Sequence, residues 1–384
     1  MKVEQVYGLL NSVTGEILGE SAIVSEDLSN VVDLGIAYDN ANAFDNFVRA
    51  IHDKIGRMVF VDRIYGGRAP SVLMDGWEYG SILEKIAAHL PEATENEDWQ
   101  LQNNTSYDPN IFTKPSVVVK LFNDRVTFEI PISTTETQVK SAFTSATQMN
   151  AFLSMIRTSV ENSLTVKMDA LVMRTINNMM AETIYSEYSG GSYTASSGVR
   201  AVNLLYLYNQ AYGTSLTQAA ALHTPDFIRF AVSIMANYID RLKVISTLFN
   251  IGGMERFTPE DRLHVVMLSE FKNAANIFLQ SGTFHDEYTR LPEAESVVYW
   301  QGSGTGYAFA DTSEIYVTTS GGHAVNLDGV VACMFDRDAL GVSNIDRRVN
   351  TYYNPKASFW NEWHKFTAGY FNDLNENMVV FFIK

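Results

Sequence analysis

The sequence holds a single cysteine, Cys333 in the run VVACMF, which excludes a disulfide framework and a thiolate metal cluster. As a small apolar side chain within a strand-like run, Cys333 is expected in a core. Cations are also scarce, with 28 Lys and Arg against 44 Asp and Glu and a net charge of -16. That balance argues against a dedicated nucleic-acid binder, whose basic face would dominate the count, yet it permits a protein that encloses nucleic acid without gripping it. No apolar run approaches the ~20 residues that span a bilayer. The opening MKVEQVYGLLNS lacks the charged head and long apolar stretch of a signal peptide, so a soluble product made inside the cell is expected.

Catalytic signatures are missing as well. The histidines at positions 52, 89, 223, 264, 285, 323 and 364 never stand at the spacing of a helical metal pair. His285, Asp286 and Glu287 are consecutive and would splay apart on a helix or a strand. There is no GxSxG elbow, and Cys333 has no activating base beside it. The glycines of WQGSGTGY, residues 300 to 307, follow the strand-like SVVYW. Their spacing is neither GxGxxG nor that of the lysine-bearing phosphate loop, and no amphipathic helix follows, so a surface turn is the better reading. Neither a cofactor nor a metal is expected.

What is present is apolar material. Hydrophobic residues make up 46% of 384 positions, enough to bury a substantial core in one large or two ordinary domains. Residues 44 to 55, FDNFVRAIHDKI, place Phe44, Phe47, Val48, Ile51 and Ile55 on one helical face, and MVFVDRIY then turns strand-like. The chain is thus expected to open with a loose arm, a helix and a strand. Residues 66 to 116 form a polar excursion rich in Pro and Gly. Its one expected element is a short helix from Ser81, where Ser81 and Glu84 have capping-box spacing and Pro91 is a stop. VVVKLF and RVTFEI flank Asn123-Asp124 and predict a tight hairpin over 117 to 130.

Capping patterns at Thr135/Gln138 and Ser145/Gln148 lead into the most periodic segment. Met149, Phe152, Ile156 and Val160, then Leu164, Met168, Leu171, Val172, Ile176, Met179 and Ile184, predict a spine of roughly forty residues, about 60 Å if unbroken, with Asn162-Ser163 as the one place where a break is open. After the link SGGSYTASSG the chain reads as a mixed α and β domain. Thr224-Pro225 opens a helix, HVVML and SEFKNAANIFL read as strand then helix, and SVVYW, EIYVTT and GVVACMF read as strands. The end, RRVNTYYNPKASFWNEWHKFTAGYF followed by MVVFFI, is strand-rich. Residues 347 to 371 hold eight aromatic rings and four Arg or Lys among acidic neighbours. Base stacking would need a cationic groove beside the rings. Packing and subunit seams, where aromatics and Arg are enriched, need fewer assumptions, so Trp360, Trp363, Phe366 and Phe371 are read as packing residues.

The order of segments resembles the major capsid proteins of tailed phages, nearest to those of small short-tailed phages of the phi 29 kind. The likeness rests on VVVKLFNDRVTFEIPISTTETQVKSAF, SATQMNAFLSMIRTSVENSLTVKMDALVMRTI, and MFDRDALGV with the aromatic stretch after it. It implies an α+β, Hong Kong 97-like fold. The expected parts are an N-terminal arm (1–43), a first peripheral segment (44–65), an extended loop (66–116), a peripheral segment with the spine helix (117–189), an axial domain (190–340) and return strands (341–384). It further implies a non-enzymatic protein that self-assembles into pentamers and hexamers of an icosahedral head around double-stranded DNA. Other copies, a scaffolding protein and a portal are the implied partners, without a membrane or sequence-specific DNA contact, and the location is the virion after synthesis in host cytoplasm.

Inter-subunit contacts are expected at Trp77, Tyr79, Ile82, Leu83 and Ile86 of the loop and at Arg347, Arg348, Trp360 and Trp363. Some relatives crosslink a loop Lys to a neighbour's Asn, for which Lys85 and Asn350 or Asn354 are the positions here, though nothing local marks them. The alternatives are an encapsulin-type protein shell and, from another class, an enzyme binding phosphate or nucleotide through glycines 302 to 306.

Overall fold

A computed structural model describes residues 3–19, 24–41, 43–51, 69–74, 83–91, 93, 103–104, 110, 112, 114–189, 191–280, 292–301 and 308–384. The first half holds helices α1 (Val3–Ile17) and α2 (Val31–Asn40) and helical residues 44–51 (α3). Strands β1 (Leu73–Met74), β2 (Leu83–Ala88), β3 (Val117–Phe122) and β4 (Arg125–Thr135) follow, then α4 (Glu136–Ala142) and α5 (Ala146–Glu187). Next come β5 (Ala201–Asn203), α6 (Leu204–Tyr212), α7 (Gln218–Ala221), α8 (Pro225–Leu242), β6 (Leu263–Leu268), α9 (Ser269–Gln280), β7 (Glu295–Val297) and α10 (Phe309–Thr312). The chain closes with β8 (Ile315–Thr318), β9 (Ala324–Leu327), β10 (Val330–Asp336), β11 (Leu340–Asn354), β12 (Phe359–Asn372) and β13 (Met378–Phe382). These form two units, each discontinuous in sequence. The first is Met1–Ala69, Arg125–Leu171 and Ser343–Gly369; the second is Pro70–Asp124, Val172–Val342 and Tyr370–Lys384.

In the first unit, Val6, Leu9, Leu10 and Val13 stand at i, i+3, i+4 and i+7 of α1 and are buried. They share a core with Leu34 and Tyr38 of α2, Phe47 and Ile51 of α3, Phe143, the first turns of α5 and Trp360 of β12. Tyr38 lies 4.7 Å from Phe47 and 5.7 Å from Phe143, ring centre to ring centre. A Cβ on Gly35 would stand 2.6 Å from Phe143, so glycine permits this close approach. The expected loose arm is therefore helical. The apolar stripe of α1 supplies a face to bury, and burial outweighs the modest helix propensity of a segment containing Gly8 and Gly15. β12 runs antiparallel to β4 from Phe359↔Thr135 to Gly369↔Arg125.

The capping box at α4 forms as expected, with Gln138 N–H donating to Thr135 Oγ1 and Thr135 N–H to Gln138 Oε1. Gln148 N–H donates to Ser145 Oγ at 3.2 Å. Helix α5 then runs for 42 residues as the expected spine, unbroken at Asn162-Ser163. Both positions face water or lie half-buried, where Asn or Ser costs a helix only tenths of a kcal/mol.

The second unit is built on a five-stranded sheet of order β5-β13-β10-β6-β7. Central strands β10 and β13 are buried along their whole length, as their unbroken apolar runs require. Helices α6, α8 and α9 pack beside them around Phe227, Met235 and Phe271. Pro225 stands in the first turn of α8 as the sequence predicts. β6 passes directly into α9, while the strand expected over SVVYW begins one residue earlier and ends sooner, at Glu295–Val297. MVVFFI pairs antiparallel with β10 and parallel with β5, so the closing strand belongs to this sheet. Cys333 lies fully buried in β10, and burial pushes its thiol well above the usual range.

Two local expectations are overturned. Residues 83–88, read as a helix from Ser81, are strand β2, paired antiparallel with β3 from Leu83↔Phe122 to Ala88↔Val117. Cross-strand pairs such as Ile86↔Val119 outweigh a capping-box signal. The predicted 117–130 hairpin does not form: β3 pairs with β2, and β4 pairs with β12. The fourteen residues of β12 offer β4 a longer ladder than the six of β3 would. Ser81 itself, the MVFVDRIY strand, His285-Asp286-Glu287 and glycines 302 to 306 lie outside the described residues.

Candidate assembly surface

The β2–β3 ribbon has two unlike faces. Glu84, Ile86 and Ala88 alternate outward opposite Leu121, Val119 and Val117, and the three β3 residues are exposed. Ile86 is 68% exposed and Leu121 64%, so this face offers water a strip of β-branched and Leu side chains. A large apolar strip in contact with solvent is the usual mark of a protein contact. His89 N–H donates to Ser116 O at 2.9 Å and carries the ladder one step further. His89 Nδ1 also lies 3.0 Å from Glu255 Oε2.

The opposite face is docked. Leu83, Lys85, Ala87, Val118, Lys120 and Phe122 point inward, and Phe122 meets Phe371 at 5.3 Å between ring centres. Lys85 Nζ donates to Asp373 Oδ2 at 2.7 Å, to the Asp338 carbonyl at 2.8 Å and to Glu376 Oε1 at 3.3 Å. Lys120 Nζ donates to the other Asp373 oxygen, Oδ1, at 2.9 Å. Burial alone would raise the Asp373 carboxyl, but Lys85 and Lys120 outweigh it and hold the group below its ordinary range. Glu376 goes the other way: burial raises it, and Lys85 and Arg256 only partly offset that. With Nζ held by three acceptors of its own chain, Lys85 is turned away from the ribbon's exposed face.

The aromatic stretch is mainly internal. Trp360 is 3% exposed, packs 5.0 Å from Tyr353 and donates from Nε1 to Asp45 Oδ1 at 2.7 Å. Phe366 and Phe371 are buried too. Trp363 is half-buried opposite Pro131. Arg347 lies half-buried with its guanidinium 4.7 Å from the Phe366 ring centre; burial lowers it to about 10, against the pull of Glu161. Arg348 is exposed and pairs with Asp346 at 2.6 Å. Strand alternation also turns Glu362 and His364 inward, and burial raises Glu362 to about 9.

The sequence-predicted contact residues are thus dispersed. Leu83 is on the docked face, Ile86 on the exposed face, Trp360 in a core, and Trp77, Tyr79 and Ile82 lie outside the described residues. Lys85, Lys120, Asp373 and Glu376 as a cluster, and Val117, Val119 and Leu121 as a surface, were missed. The available signal was that VVVKLF is apolar at five of its six positions, so that as a strand it carries apolar side chains on both faces. Among the described residues no grouping of His, Cys, Asp and Glu could hold a metal ion. No described helix is long and apolar enough to cross a membrane.

The family model for Phi29-like phage major capsid protein matches residues 10–382. No curated protein matches. Similar solved structures include the capsid of Staphylococcus phage Andhra, at 12% identity and TM-score 0.48 over 83% of this chain and 84% of that one. The capsid of Cyanophage P-SCSP1u is similar at 11% identity and TM-score 0.43 over 84% and 88%. The mature capsid of bacteriophage PhiM1 is similar at 6% identity and TM-score 0.41 over 84% and 87%.

Proposed function

The chain belongs to the Phi29-like phage major capsid protein family, and from that premise we propose how its parts share the work of building a phage head. It is a structural protein of the virion that forms the head shell, not an enzyme. In the proposed arrangement copies assemble as pentamers and hexamers into a closed icosahedral shell around double-stranded DNA, with a scaffolding protein and a portal as partners and synthesis in host cytoplasm. The net charge of -16 suits a container, since a cationic wall would adhere to incoming phosphates. Residues 66–116 act as the extended loop, and residues 1–43 as the arm segment. Residues 44–65 and 117–189 with strands β11 and β12 act as the peripheral part, and residues 190–340 as the axial part around capsomer axes, with the closing strand β13, expected among the peripheral strands, completing the axial sheet.

The observation that carries this reading furthest is the exposed apolar face of β2–β3. Ile86, Val119 and Leu121 cost free energy in water and gain ~1.5–3 kcal/mol each on full burial. A neighbouring copy is the surface such a shell protein always meets. Arg348 and Trp363 are assigned to the same class of seam, whereas Trp360 is assigned to the chain's own core. The test is the variant Ile86→Ser/Val119→Ser/Leu121→Ser, expressed with the scaffolding protein and viewed by electron microscopy. Helix content by circular dichroism should match wild type while closed shells disappear. Shells forming at the wild-type yield would overturn the assignment.

A further inference from the structure

The two lysines of the ribbon stand directly opposite each other, in the register pair Lys85↔Lys120. Like charges in that position repel and weaken a ladder unless an anion lies between them. Asp373 is that anion. Its side chain is nearly buried, and it splits its oxygens, Oδ2 to Lys85 and Oδ1 to Lys120. The carboxylate is itself held in place: Asp373 N–H donates to Ala339 O at 2.7 Å, and Asn375 N–H donates to Asp373 Oδ1 at 3.1 Å. Two cations on two strands, gripping one fixed carboxylate, set both the position of the ribbon and its rotation about its long axis. Burial reduces the screening that makes surface pairs weak.

Both faces of the ribbon carry apolar side chains, Leu83, Val118 and Phe122 inward beside the two lysines and Ile86, Val119 and Leu121 outward, so apolar burial alone does not choose between them. Without the grip, rotating the ribbon would bury Ile86, Val119 and Leu121 on the same subunit in place of Leu83, Val118 and Phe122 and return both lysines to solvent. We propose that Lys85 and Lys120 are positioning residues for shell assembly. Their shared hold on Asp373 keeps the apolar face turned outward, available to a second copy. The proposal rests on the reading of that face as an assembly surface, and the experiment separates the two.

Amide hydrogen exchange is measured on the unassembled full chain, and shell yield is measured by sedimentation and electron microscopy. An isolated two-stranded ribbon is barely stable in water, so a released ribbon loses protection. In Lys85→Met/Lys120→Met, exchange at residues 83–88 and 117–122 should quicken about tenfold or more, with β10 unchanged and shell yield reduced. Lys85→Arg/Lys120→Arg, which keeps both charges, should restore most of both. If the double Met variant fails to fold, Lys120→Met alone decides, since Asp373 then keeps its bond to Lys85; it should be intermediate in both readouts. Ile86→Ser/Val119→Ser/Leu121→Ser should keep wild-type protection while losing shells. Unchanged ribbon protection in the Met variants overturns the positioning role. Faster exchange with undiminished shells in those variants also overturns it, whereas normal shells from the Ser variant overturn the surface assignment beneath it.

Discussion

Trp360→Ala separates packing from nucleic-acid stacking as the work of the aromatic stretch. The indole is 3% exposed, shares a core with α1, α2 and α3, and donates one hydrogen bond, to Asp45. Truncating a buried Trp to Ala costs ~3–5 kcal/mol. Trp360→Phe keeps most of the apolar contact and loses the hydrogen bond. Asp45 is partly exposed and also pairs with Arg49 at 3.4 Å, so water can replace the lost donor and the Phe variant should lose only ~1 kcal/mol. Urea unfolding of the unassembled subunit, followed by circular dichroism, measures both. With a slope of about 3 kcal/mol/M, the Ala midpoint should fall by ~1–2 M and the Phe midpoint by a few tenths. Single-stranded DNA binding should be equally weak for wild type and both variants. An Ala variant as stable as wild type that had lost a measurable DNA affinity would refute the packing account.

Two further substitutions probe other parts. Gly329 has φ +84°, and a Cβ there would stand 2.2 Å from the Ile383 carbonyl oxygen, so Gly329→Ala should destabilise the second unit by ~1–3 kcal/mol. A melting temperature equal to wild type would contradict that. Glu362 is raised by burial from 4.5 to about 9, so between those values the folded subunit holds a proton that the unfolded chain has released. Its contribution is fully present below the unfolded value and drains away as pH rises towards 9, at up to ~1.4 kcal/mol per pH unit. Glu362→Gln should therefore gain on wild type in melting temperature as pH goes from 5 to 8; a constant difference across that range would count against a buried neutral carboxyl.

The elements legible in the sequence are those whose pattern and packing agree. The α5 stripe, the capping box at Thr135 and Gln138, and the continuous apolar runs of β10 and β13 each predict the element that forms. Errors arise where a local signal competes with a distant partner. Ser81/Glu84 spacing suggested a helix, but the partner of β2 begins at Val117, beyond any local window. Asn123-Asp124 suggested a hairpin, but β4 finds its ladder more than two hundred residues later in β12. Helices α1 and α2 were missed for a related reason: their apolar faces gain their value from Phe47, Phe143 and Trp360, which only the fold brings together, whereas the helix expected from Phe44 forms over the described residues 44–51.

The candidate site was less legible than the fold, because the ribbon's two faces cannot be ranked without knowing what lies beneath them. Apolar residues stand on both faces, Leu83, Val118 and Phe122 beside Lys85 and Lys120, and Ile86, Val119 and Leu121 on the other. The lysine face is the inner one because the turn from Asp373 to Glu376 places a nearly buried carboxylate under the ribbon, and a pair of cations compensates it. The sequence of that turn, DLNENM, reads as an ordinary polar connection and gives no hint that Asp373 has little access to water. Once the anion is fixed inside, strand alternation leaves Ile86, Val119 and Leu121 no direction but out. A charge buried in the body of the subunit thus decides which face of the ribbon remains for another molecule.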